Sequence, residues 1–96
     1  MQRYKAMSNT HYTRLIKAKD RLREFNFRKL PAATGSLFHV DVSDDRGNRV
    51  IFKMQKEGNS PWKIVDDGLP PWVYETEEKL SHAIDDQPTS EEQGYF

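Results

Sequence analysis

Phe38-His39-Val40-Asp41-Val42-Ser43-Asp44-Asp45-Arg46-Gly47-Asn48-Arg49-Val50-Ile51-Phe52-Lys53-Met54 is a hairpin whose register follows from its letters. Phe38, Val40 and Val42 alternate with polar residues, and so do Val50, Phe52 and Met54, apart from Ile51. A three-residue tip, Asp45-Arg46-Gly47 with Gly47 in the left-handed conformation, makes Asp44 face Asn48. Val42 then faces Val50, Val40 faces Phe52 and Phe38 faces Met54. All six apolar side chains fall on one face, as a period of two requires. Turn chemistry and pattern agree, which specifies structure but no reaction.

On the N-terminal side, Glu24 to Leu30 reads as a strand, with Phe25 and Phe27 on one face and Asn26 and Arg28 on the other. Pro31 ends it, and Ala32 to Ser36 links it to the hairpin. Thr10 to Glu24 admits two readings. As a helix, Tyr12, Leu15, Ile16, Lys19, Leu22 and Arg23 recur at spacings of three and four, with Asn9 or Thr10 as cap. As a strand, Tyr12, Arg14 and Ile16 alternate with Thr13, Leu15 and Lys17. The helix formers Leu, Lys, Ala and Arg favour the helix.

On the C-terminal side, Lys56 to Pro61 is a loop, and Trp62 to Val65 is a short strand with Trp62 and Ile64 inward. Pro70-Pro71 opens a helix, where proline is best tolerated. Glu75, Glu77 and Glu78 suit its N-terminal end. Val73, Leu80, Ala83 and Ile84 form its buried stripe, with Thr76 on the same line. Asp85 and Asp86 oppose the helix dipole, so the helix should stop there or these carboxylates should meet cations.

The expected fold is α+β: an antiparallel sheet of three to four strands, a C-terminal helix packed on one face, and an N-terminal helix. One domain over residues 10–86 is expected, between a disordered stretch 1–9 and a flexible tail 87–96. Ile51 and Val65 point away from the main apolar face, which calls for some cover there.

Composition narrows the classes. Of 96 residues, 35% are hydrophobic and 31% charged, toward the polar edge of globular chains. No cysteine is present, which excludes disulfides and thiolate metal sites. No apolar run is long enough to span a membrane. Met1 to Thr10 has charge but no apolar stretch behind it, so a cytoplasmic protein is expected. The balanced total of 15 cations and 15 carboxylates hides an asymmetry. Residues 1–31 hold nine cations against two carboxylates, and residues 61–96 hold the reverse. Such blocks point to an interaction, between the two ends or with a partner.

Catalytic, cofactor and metal roles find no residues. His11, His39 and His82 lie in three different elements. Asp41, Asp44 and Asp45 lack calcium-loop spacing and are ordinary turn residues. Ser81 and His82 are neighbours on a helix and point apart, so they cannot share a proton with Asp85 as a triad. Asp66-Asp67 and Glu77-Glu78 read as a turn and a solvated face. The scattered glycines make no phosphate loop.

Two binding readings remain. Trp72 and Tyr74 lie off the buried stripe and could anchor a protein partner. The basic segment Arg14, Lys17, Lys19, Arg21, Arg23, Arg28 and Lys29 interleaves with Phe25 and Phe27, which could hold single-stranded nucleic acid if the rings were exposed. Alternation of phenylalanine with polar residues marks a half-buried strand, so the rings are expected in the core. The expected function is a small non-enzymatic module binding an unknown protein partner, as monomer or homodimer. A nucleic-acid binder is the alternative, and an enzyme comes third.

Arg23-Glu24-Phe25-Asn26-Phe27-Arg28-Lys29-Leu30, the hairpin, Trp62-Lys63-Ile64 and Leu69-Pro70-Pro71-Trp72-Val73 together resemble small uncharacterised bacterial proteins of the Bacteroidetes type, over residues 12–86. The resemblance implies no activity and carries no functional residues.

Overall fold

Five antiparallel strands in sequential order make the body of the computed structural model, which describes residues 11–32 and 35–86. They are β1 (His11–Ala18), β2 (Arg21–Leu30), β3 (Ser36–Ser43), β4 (Arg49–Lys56) and β5 (Lys63–Ile64). Two short helices follow, α1 (Pro71–Tyr74) and α2 (Glu77–Asp85). The expected termini, a disordered 1–9 and a tail 87–96, lie outside the described residues.

The central hairpin has the register its sequence dictates. Val42 pairs with Val50, Val40 with Phe52 and Phe38 with Met54. Gly47 sits at φ 84°, and its N–H donates to the Asp44 carbonyl at 3.1 Å. Asp44 Oδ1 accepts from the backbone N–H groups of Arg46 at 2.9 Å and Asn48 at 2.8 Å. Desolvation pushes its pKa up, but these amides and the Asn48 side chain outweigh it and hold the carboxyl below the usual range.

The N-terminal helix does not form, and the sheet has five strands rather than three or four. Residues 11–30 are a second hairpin, with Tyr12 opposite Phe27, Arg14 opposite Phe25 and Ile16 opposite Arg23. Lys19 and Asp20 turn it at φ 52° and 76°, the two positive values of a type I′ loop. Neither residue is the usual glycine or asparagine, so the turn leaves little trace in the sequence. Leu15 and Leu22, which supported the helical stripe, are each 63% exposed. Pairing with β2 places Ile16 and Ala18 in the core instead, and that burial overrides a helix preference of tenths of a kcal/mol per residue.

The C-terminal helix is interrupted. Thr76 is buried, and its Oγ1 donates to the Trp72 carbonyl at 2.7 Å. The Thr76 N–H bonds Val73 O three residues back, which tightens the turn between α1 and α2.

One sheet face carries the whole core. Phe25, Phe27, Val40, Val42, Phe52, Met54, Val73 and Leu80 are fully buried between strands and helices. Tyr12 stacks on Phe27 with centroids 5.0 Å apart, and Phe38 meets Trp62 edge-on at 5.2 Å. Among the described residues nothing covers the opposite face. The cover anticipated for Ile51 and Val65 is absent there, and they are 54% and 46% exposed. No helix among the described residues is long and apolar enough to cross a membrane.

Candidate binding face

Ladder register assigns every strand side chain to one face. On the helical face, polar groups that touch the fold are engaged by it. Arg23 is 7% exposed; its Nε donates to Ala18 O at 2.9 Å and its Nη1 to Asp45 Oδ1 at 3.0 Å. The same guanidinium lies 4.2 Å from the centroid of the Trp72 ring. Arg21 shares Asp45 at 3.0 Å. Arg14 donates to Ala83 O at 3.3 Å, and Lys79 Nζ to Lys17 O at 2.9 Å. Asp85, left facing the wrong end of the dipole, takes the Trp62 indole N–H at 3.1 Å and Lys56 Nζ at 3.5 Å. Its cation comes from β4, not from the basic N-terminal block. Among the described residues no ion pair joins the two opposed charge blocks.

A cleft of about 400 Å³ lies between the β4–β5 loop and α2, lined in part by Trp62, Glu77, Ser81, His82 and Asp85. Its polar groups are structural ties. Ser81 Oγ accepts the Trp62 N–H at 3.0 Å, and Glu77 Oε2 accepts the Ile64 N–H at 2.8 Å. These bonds fasten the short edge strand to α2. Among the described residues no group of three or more His, Asp or Glu could hold a metal ion.

The open face is built in rows across the strands. Thr13, Asn26, Asp41 and Ile51 are successive partners on four strands. Thr13 Oγ1 donates to Asn26 Oδ1 at 2.6 Å, and Asn26 Nδ2 donates to Asp41 Oδ1 at 2.9 Å. Arg49 Nη1 approaches the same Asp41 oxygen at 3.3 Å. This chain of hydrogen bonds fixes side chains on a surface against which none of the described elements packs. The next row is His11, Arg28, His39 and Lys53, again successive partners. Leu15 and Leu22 add apolar area near the β1–β2 turn, and Ile51 and Val65 add it beside Lys53.

The residues singled out from sequence scatter over this architecture. Trp72 is half-buried against the core under Arg23. Tyr74 is 38% exposed, with its hydroxyl donating to Asp66 O at 2.6 Å and accepting the Leu69 N–H at 3.3 Å. That bond pair ties down the turn before α1. Of the basic segment, Arg14, Arg21, Arg23 and Lys29 are on the helical side by register, Lys19 is in the turn, and only Lys17 and Arg28 are on the open face. Phe25 and Phe27 have no exposed surface, so they cannot stack bases. The open-face rows were missed because they run across four strands, two of which form the unrecognised hairpin. Extending the β3–β4 register to the alternative strand reading of β1 is the signal that would have found them. No family model, curated protein or solved structure matches this chain.

Proposed function

We propose that this chain is a small protein-binding module without a reaction of its own, and that the open sheet face is its docking surface. One observation carries the reading: the face that is uncovered among the described residues bears exposed Leu15, Leu22, Ile51 and Val65 beside a hydrogen-bonded polar network. Apolar residues set among fixed polar groups are the composition of a protein interface. Nucleic acid is less well served. The tyrosine, phenylalanine and tryptophan rings of the strands point to the helical side, which leaves none of them on the open face to stack a base.

Photo-crosslinking inside cells tests the reading. A photoreactive residue replacing Ile51 should give discrete protein adducts, and one replacing Glu75 on the helical side should give none. Adducts formed equally from both positions, from neither, or only with nucleic acid would reject it.

A further inference from the structure

The row His11, Arg28, His39, Lys53 alternates two imidazoles with two cations in line across β1 to β4. On the helical side Arg21 and Arg23 have Asp45 and Lys56 has Asp85, while Lys29 has no ion pair among the described residues. Arg28 and Lys53 have no carboxylate within ion-pair distance among the described residues. Asp41 flanks the row, with Oδ2 3.9 Å from His39 Nδ1, but its other oxygen is taken by Asn26 and Arg49. The row thus has cationic capacity that the fold does not use.

We infer that this row is the docking site for an acidic, extended segment of a partner protein. The inference rests on the docking role given above to the open face. Three features fit that occupant. Charge is complementary along the row. Length matches too: strands about 4.8 Å apart make four positions span roughly 14 Å, and three carboxylates on alternate residues of an extended chain span about the same. Apolar flanks complete the fit, since Leu30 and Leu37 are partners on one side of the row and Ile51 lies on the other. Carboxylates would meet Arg28 and Lys53, while aliphatic neighbours would lie on these flanks. A nucleic acid strand would find the charges but no tyrosine, phenylalanine or tryptophan ring in the row to stack on.

The test uses the full chain and a fluorescent peptide of alternating Glu and Leu, with the Lys-Leu counterpart and a short oligothymidylate as the other arms. The Glu-Leu peptide alone should bind, and binding should weaken as salt rises. Arg28→Glu combined with Lys53→Glu should weaken it about tenfold or more, as loss of two exposed ion pairs plus two repulsions requires. Arg28→Lys with Lys53→Arg should retain it. Both side chains are exposed, and an unchanged thermal melt of each variant shows that the fold is intact. No binding of the Glu-Leu peptide, undiminished binding after charge reversal, or tighter binding of the oligonucleotide would overturn the inference. Protein cross-links from position 51 together with peptide failure would leave the docking role standing and remove only the acidic chemistry.

Discussion

The two faces of this sheet are built from the same strands, yet they handle polar groups in opposite ways. On the helical face even a guanidinium is absorbed. Arg23 is buried under Trp72, its Nε on Ala18 O and its Nη1 on Asp45. On the open face Asp41 is held by Asn26 and Arg49, but the Arg28 and Lys53 side chains form no ion pair among the described residues, although the Lys53 backbone N–H donates to Asp66 Oδ2 at 2.8 Å. The difference teaches that Arg21, Arg23 and Lys56 on one face are tied into the fold by carboxylates, whereas Arg28 and Lys53 on the other form no ion pair among the described residues.

The largest break in that contrast should come from Phe27→Ala. Phe27 is fully buried and stacked on Tyr12, so truncation leaves a cavity and should remove about 3–5 kcal/mol, read from a urea melt. A loss under about 1 kcal/mol would mean that the ring is not core.

Arg23→Ala should come next. It leaves Ala18 O without its buried donor and uncovers the Trp72 ring. A loss of about 2–3 kcal/mol is expected, most of it from the unmade hydrogen bond and lost packing rather than from the pair with Asp45, which is exposed and retains Arg21. The loss should persist at high salt. An effect that vanishes with added salt would show that Arg23 acts as a surface charge like those of the open face.

Tyr12→Phe should act in the other direction. The Tyr12 hydroxyl is buried with no hydrogen-bond partner among the described residues. Its removal should leave stability unchanged at neutral pH or raise it by up to about 1 kcal/mol. The pH dependence has a definite sign. Desolvation, opposed by Arg14 and aided by Asp85, raises the phenol from 10.0 to about 12. Above pH 10 the unfolded chain therefore loses this proton before the native one does. Stability tied to Tyr12 is complete below that pH and declines up to about 12. The phenylalanine variant should overtake the parent progressively in this window. A constant difference between the two melts across it would mean that the hydroxyl is solvated.

The smallest effect belongs to the open face. Leu22→Ser should change stability by no more than about 0.5 kcal/mol, because the side chain has little to lose on the folded surface. Its consequence should appear in cross-linking from position 51, as a weaker adduct. A large loss of stability would show that some part of the chain covers this face.

Much of the helical face was legible beforehand. Phe25 and Phe27, the six hairpin residues, Trp62 and the Val73–Leu80–Ile84 stripe all fall where their periodicity puts them. The open face was legible only in pieces. His39 and Lys53 could be assigned to it from the central hairpin, but their row needs His11 and Arg28. Those residues align only once residues 11–30 fold as a hairpin. Among the described residues the opposed charge blocks form no ion pair with each other: N-terminal cations pair with Asp45 and backbone carbonyls, and Asp85 pairs with Lys56.

By itself the sequence determined the β3–β4 hairpin, because a glycine at the left-handed position and a period of two are local facts that agree. It also determined which side of β2, β3 and β4 is buried. Tertiary structure decided the rest. β1 is a strand because Ile16 and Ala18 gain burial only when paired with β2, through a Lys-Asp turn that has no strong signature. Arg23 is internal because Ala18, Asp45 and Trp72, from three separate elements, converge on it. Each of these outcomes depends on neighbours distant in sequence, and a local pattern holds no record of them.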